Sequence, residues 1–174
     1  MPQFRSNKIV EGPNGAYARS LYRATGFIDS DFRKPLIAVA NSWNELNPGH
    51  FHLQEMSKHI KNAIWSAGGR PVEFNTIAPC DGAAQGRGMH YILPAREIIA
   101  ASVELMVQAH SFDGVVMVAS CDKIIPGMLL AAVRCNLPTV FFTGGTMLPR
   151  QISGKDYVAC DVKEFIGQYN IGDI

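Results

Sequence analysis

The chain has 174 residues, 47% of them hydrophobic and 18% charged, a composition that builds one globular domain with a substantial core and excludes disorder. Net charge is +1 with lysines and arginines scattered, so no nucleic acid or membrane surface is called for as a partner. No stretch approaches the roughly 18 uninterrupted apolar residues of a membrane span, and Met1-Pro2-Gln3-Phe4-Arg5-Ser6 holds no apolar leader. With four cysteines, the expected setting is a reducing cytoplasm, where thiols serve as ligands or core residues rather than disulfides.

Residues 1–34 are polar, with a short helix predicted over Ala16–Thr25 and closed by Gly26. Pro35 introduces a buried strand, Leu36-Ile37-Ala38-Val39-Ala40, that ends in Asn41-Ser42. Leu53, Met56, Ile60, Ala63, Ile64 and Ala67 recur at helical spacing before Gly68-Gly69. Val72–Ile77 reads as a second strand, running into Pro79-Cys80-Asp81-Gly82. A helix follows over Arg96–His110, and Gly114–Ala119 is a strand apolar on both faces that ends at Ser120-Cys121-Asp122-Lys123. A helix containing Met128–Val133, a strand Thr139–Phe142 ending in Thr143-Gly144-Gly145, and a helix from Val162 to Tyr169 complete the pattern. This alternation predicts a three-layer α/β fold, a mostly parallel sheet covered by helices. No repeat or linker interrupts it, so residues 1–174 read as one domain.

Open parallel sheets bind ligands outside the carboxyl ends of their strands. All four predicted ends carry polar or reactive residues, among them two Cys-Asp doublets, Cys80-Asp81 and Cys121-Asp122. Thiolates favour iron or zinc and carboxylates favour magnesium, so the pairs offer a site for two kinds of Lewis acid. Lys123 beside them joins the candidate set. Asp122 also suits a helix N-cap, and Asp81 a turn before Gly82. Cys135 reads as core, Cys160 as incidental and Asp161 as a helix cap. His50 and His52 read as pocket or capping residues rather than zinc ligands. The chain lacks the Gly-x-Ser-x-Gly elbow, the Walker A loop and the dinucleotide fingerprint.

In order along the chain, Pro48-Gly49-His50-Phe51-His52-Leu53, Glu73-Phe74-Asn75-Thr76-Ile77, Leu93-Pro94-Ala95-Arg96-Glu97, Cys121-Asp122-Lys123-Ile124-Ile125-Pro126-Gly127-Met128 and Phe141-Phe142-Thr143-Gly144-Gly145 resemble the dihydroxy-acid and phosphogluconate dehydratase family. The resemblance implies an iron–sulfur hydro-lyase that converts a 2,3-dihydroxy carboxylic acid into a 2-keto acid. It further implies that Cys121 ligates the cluster, that Asp81 and Asp122 bind Mg2+, and that Lys123 serves catalysis by binding the same ion through a carbamate. Members with a 2Fe–2S cluster carry a cysteine where this chain has Gly49, whereas Cys80-Asp81-Gly82 resembles the 4Fe–4S phosphogluconate dehydratases. A 4Fe–4S cluster held in part by Cys80 and Cys121 is therefore expected.

Arg19-Ser20-Leu21-Tyr22-Arg23-Ala24-Thr25-Gly26 resembles the dihydroxy-acid dehydratases of branched-chain amino-acid biosynthesis, which is the reading favoured here. Cys80-Asp81-Gly82 and Gln85-Gly86 lean toward sugar-acid or 6-phosphogluconate dehydratases. A catalytically incomplete module that binds an anion or forms an interface is the third reading. Family members continue for several hundred residues, with a third cluster cysteine, a catalytic base and a further magnesium carboxylate beyond the equivalent of Ile174. The chain then corresponds to the N-terminal cluster- and magnesium-binding part, as a piece or a split subunit, and is expected to be inactive alone. The family also implies a homodimer and a small dihydroxy-acid substrate.

Overall fold

The computed structural model describes residues 3–173; Met1, Pro2 and Ile174, at the ends of the range assigned above, lie outside it. The chain divides after Gly144 into two compact units.

The first unit opens with two helices, α1 (Asn7–Val10) and α2 (Ala16–Ala24). Strands β1 (Leu36–Asn41), β2 (Arg70–Asn75), β3 (Gly114–Ala119) and β4 (Thr139–Thr143) then alternate with helices α3 (Leu53–Ser66), α4 (Ala95–Ala109) and α5 (Ile124–Cys135). The strands form one sheet in the order β2-β1-β3-β4, every pair parallel, with Ala38 opposite both Val72 and Val115. The expected sheet covered by helices is present, with element ends shifted by a few residues.

Successive strand side chains point to opposite faces, so each strand contributes to two packed layers. Ala38, Ala40, Val115, Met117 and Ala119 pack into one core with Ile99, Val103 and Val107 of α4 and Met128 and Ala131 of α5. Val39 and Val118 point the other way and meet Leu53, Ile60 and Ile64 of α3. Full burial of each such Val, Ile or Leu contributes about 1.5–3 kcal/mol, an energy that can stabilise a sheet covered on both faces. Gly127 is buried where α5 crosses α4; a Cβ there would stand 3.0 Å from the Arg96 carbonyl and from Ile99 Cβ. The predicted core role of Cys135 holds, for it is buried in the larger core.

Strand order decides where a ligand fits. From β1 the chain moves outward to β2, then returns past β1 to β3 and continues to β4. Connections leave β1 and β3 in opposite directions, which opens a crevice outside their carboxyl ends. Parallel crossovers are right-handed, so α3 covers one face while α4 and α5 cover the other.

In the second unit, β5 (Arg150–Ile152) and β6 (Lys155–Tyr157) form an antiparallel hairpin that the sequence reading missed. Its turn, Ser153-Gly154, has φ of 50° and 80°, the left-handed geometry of a two-residue hairpin turn. Helix α6 (Ala159–Ile171) follows, and Asp161 Oδ2 accepts from the Val158 N–H at 2.7 Å, the capping role expected of it. Cys160 is exposed at the start of α6. Among the described residues, no helix is long and apolar enough to cross a membrane.

Candidate functional site

Residues 42–52, following β1, draw the strand ends together. The Ser42 N–H donates to the Val118 carbonyl at 3.1 Å, and the Thr76 N–H to the Asn41 carbonyl at 2.9 Å, which extends the sheet's pairing past its formal end. Asn44 Nδ2 donates to the Ala78 carbonyl (3.0 Å), and Asn75 Nδ2 to the Trp43 carbonyl (3.1 Å), tying in the segment that carries Cys80 and Asp81. On the β4 side, His52 Nε2 donates to the Gly144 carbonyl at 2.9 Å. Gly144 is in its turn so close to Gly49 that a Cβ on it would lie 3.0 Å from the Gly49 carbonyl.

His50 is not the pocket or capping residue expected of it. It is fully buried, with Nε2 donating to the Ser120 carbonyl at 3.0 Å and Nδ1 2.9 Å from Ser42 Oγ. It thereby fastens the loop to the ends of β1 and β3. Burial pulls its pKa below the ordinary imidazole value, against the opposing pull of the Ser42 and Ser120 carbonyls. His52 occupies the N-cap position of α3, although its side chain makes no cap bond.

The candidate residues stand at the crevice. Cys121 follows β3 with φ of +68°, a left-handed conformation that costs a non-glycine residue roughly 1–2 kcal/mol. Its thiol donates to Asn47 Oδ1 at 3.5 Å, a distance normal for sulfur. Gly49 lies directly over it: a Cβ there would stand 3.3 Å from Cys121 Sγ and 3.3 Å from Ser120 Oγ. Burial pushes the Cys121 thiol up, and the neighbouring Asp81 and Asp122 carboxylates push it further. The ion pairs of Lys123 with Asp81 and with Asp122 bring the two Cys-Asp doublets together. Both cysteines are free and half-buried.

Lys123 lies between the two carboxylates, its Nζ 2.5 Å from Asp122 Oδ2 and 3.7 Å from Asp81 Oδ2. The hydrogen bond to Asp122 raises the lysine pKa, with the charges of Asp122 and Asp81 adding to it, and Lys123 in turn lowers Asp122. The ammonium thus stands where a cation shared by the two carboxylates would be attracted. Asp122 does not cap α5: Lys123 holds the cap position, and no side-chain cap bond forms. Asp81 behaves as the turn former that the sequence allowed, accepting from the Gly82 N–H at 2.8 Å. Among the described residues, no three His, Cys, Asp or Glu side chains are already gathered as ligands around one point.

Sequence reasoning missed Asn47. It is buried, with Oδ1 accepting from the Gly49 N–H at 3.0 Å and its backbone N–H bound to Asn44 Oδ1 at 2.9 Å. Nothing in a lone asparagine of a polar loop distinguishes it before the loop is folded.

A family model described as "Dihydroxy-acid/6-phosphogluconate dehydratase N-terminal" matches residues 34–174. The chain is similar to the dihydroxy-acid dehydratase of Methanosarcina barkeri, 50% identical over 171 residues that make up 98% of this chain and 31% of that protein. It is 51% identical to the enzyme of that name from Methanoregula boonei over 173 residues, 99% of the chain and 32% of the relative. To the one from Methanococcus aeolicus it is 47% identical over 170 residues, 97% of the chain and 31% of the relative. The chain therefore spans about a third of the length of the curated relatives it matches.

Proposed function

This chain belongs to the dihydroxy-acid/6-phosphogluconate dehydratase family, matching its N-terminal part, and on that premise we propose that it forms the metal-binding portion of a hydro-lyase that converts a 2,3-dihydroxy carboxylic acid to a 2-keto acid. The observation that carries this reading is the gathering of Cys121, Asp81, Asp122 and Lys123 at the crevice beyond β1 and β3. Among dihydroxy acids, the resemblance of Arg19-Ser20-Leu21-Tyr22-Arg23-Ala24-Thr25-Gly26 favours the substrate of branched-chain amino-acid biosynthesis. Cys80-Asp81-Gly82 keeps a sugar acid as the second reading.

Cys80 and Cys121 would hold an iron–sulfur cluster, with 4Fe–4S favoured over 2Fe–2S because position 49 carries no thiol. Asp81 and Asp122 would hold Mg2+, joined by Lys123 once its amine carries a carbamate. Three features support the fit: the soft and hard donors lie side by side, Gly49 leaves the space above the Cys121 sulfur clear, and a buried amide beside that sulfur has an unused donor. The bound groups would supply a Lewis acid for the departing hydroxyl and positive charge for the developing enolate.

The chain's own residues have three tasks. Asp81 and Asp122 would hold the cation, which would supply positive charge for a substrate carboxylate. His50 and the loop it fastens keep Cys121 at the mouth of the crevice. Lys123 pairs with the acidic residues as an ammonium, and as a carbamate it would join them in holding the cation.

We read the protein as cytoplasmic, in keeping with four free thiols, and as a homodimer. Exposed Leu129 and Val133 of α5 and Val140 of β4 offer apolar surface that such pairing would cover. By itself the 174-residue chain is proposed to bind metals without turnover, because within the first unit Cys80 and Cys121 are the two half-buried thiols that follow strands, and Cys135 is core. The test is anaerobic reconstitution with iron, sulfide and excess 2-mercaptoethanol as exogenous thiolate. Bound iron and sulfide with visible absorbance are expected in the wild type and lost in Cys121→Ser. A wild type that retains no more iron and sulfide than Cys121→Ser defeats the cluster assignment.

A further inference from the structure

Asn47 is 1% exposed, and its Nδ2 is a buried donor with no hydrogen-bond partner among the described residues. Buried amides rarely leave both N–H groups unused, so such an atom calls for an explanation. Local structure does not provide one. The side chain is held at both ends of its reach: the backbone N–H is bound to Asn44 Oδ1, and Oδ1 accepts from the Gly49 N–H. Rotating the amide to satisfy Nδ2 would set its N–H groups against that N–H donor. The orientation is therefore fixed, with Oδ1 3.5 Å from Cys121 Sγ and Nδ2 on the same small amide group.

The surroundings are equally particular. Gly49 leaves open the space that a Cβ would fill, 3.3 Å from the Cys121 sulfur. Cys121 is itself presented in a left-handed conformation. An unused N–H donor, a side-chain-free position and a strained thiol thus lie within one short stretch of space, and all three would be served by an anionic sulfur group bound there.

We propose that Asn47 is a positioning residue for the group bound at Cys121, its buried Nδ2 donating a hydrogen bond to a sulfur of that group. This rests on the reading of Cys121 as a cluster ligand. Hydrogen bonds to cluster sulfurs stabilise the reduced, more negative state and so raise the reduction potential. Asn47 then acts on the bound group by orientation and by charge, without ligating iron.

The test compares the wild type with Asn47→Leu and Asn47→Asp after anaerobic loading with iron, sulfide and 2-mercaptoethanol. Leucine removes the donor at nearly the same volume. Aspartate keeps an oxygen for the Gly49 N–H, and replaces the donor with a second oxygen that also brings negative charge. At the wild-type midpoint, each loaded variant should show a reduced-to-oxidised ratio about tenfold lower, equivalent to 59 mV for a one-electron couple. A variant that melts cooperatively yet fails to load also supports the proposal, as does recovery of the potential in Asn47→Gln. Should the leucine variant not fold, the smaller neutral variant Asn47→Ala decides. Loaded variants with the wild-type potential overturn the role of Asn47 and leave the cluster assignment standing. A wild type that does not load overturns both, and is recognised because the failure precedes any substitution.

Discussion

A Cβ on Gly49 would stand 3.3 Å from the Sγ of Cys121, close to the Cβ-to-sulfur separation across a disulfide bond. Gly49→Cys should therefore cross-link to Cys121 on mild oxidation, without rearrangement of the loop. Thiol titration would count two fewer free sulfhydryls than in the reduced variant, and a peptide map would join the two positions. Full retention of free thiols after oxidation would mean that the loop stands further from β3 than described.

His50 predicts how stability follows pH. Its folded-state pKa lies below the unfolded value of about 6.5, so below that pH the unfolded chain binds a proton that the folded chain refuses. Stability contributed by the neutral ring is complete above the unfolded pKa and is lost as pH falls through about 6.5 toward the folded value. The slope reaches at most about 1.4 kcal/mol per pH unit for this one group. Melting temperatures between pH 8 and pH 5.5 should fall less in His50→Gln than in the wild type, although the variant starts lower.

Cys121 allows strain and chemistry to be separated. Relative to Cys121→Ala, Cys121→Gly removes the clash of a Cβ at φ +68° but adds freedom to the unfolded chain. The net expectation is that the glycine variant is more stable by up to about 1 kcal/mol in urea denaturation. A clear advantage for alanine would contradict the left-handed geometry.

Lys123 should make magnesium binding depend on bicarbonate. As an ammonium it would compete with any Mg2+ held, as proposed, by Asp81 and Asp122, and its raised pKa opposes the neutral amine that carbamate formation needs. Calorimetric titration of the wild type should show tighter Mg2+ binding when bicarbonate is present. Lys123→Ala should bind Mg2+ without that dependence. Equal bicarbonate effects in both proteins would remove Lys123 from the magnesium site.

Gly127 tests the packing of α4 on α5. Its substitution by alanine puts a methyl group 3.0 Å from the Arg96 carbonyl, and overpacking of this kind costs about 1–3 kcal/mol. A drop of that size in urea denaturation, with the far-ultraviolet spectrum unchanged, is the expected result.

Much of this was legible in the chain because its strands are short apolar runs bounded by polar residues. Leu36–Ala40 and Gly114–Ala119 needed no tertiary information, for both faces of each strand are covered. The hairpin at Arg150–Tyr157 escaped because its strands are three residues long and mostly exposed, with no alternation to detect. Its one signal was the Ser153-Gly154 turn. The candidate site was legible as residue types, since Cys-Asp doublets at strand ends declare themselves. Its support was not: a histidine beside Pro48-Gly49 reads the same whether it lines a pocket or fastens two strands. Only the fold reveals that His50 is buried and that Asn47 has a donor to spare.

The strand order gives the two half-buried thiols a mechanical relation. Cys80 follows β2 and Cys121 follows β3, and these strands are not neighbours, because β1 runs between them. Any group bonded to both sulfurs would act as a rivet across β1, joining parts of the sheet that share no backbone hydrogen bond. Assembly of that group would be felt along the sheet as slower amide exchange in the segment after Asn75, and its oxidative loss would release that segment first. Damage to such a bound group would then be visible as local loosening well before the fold itself gave way.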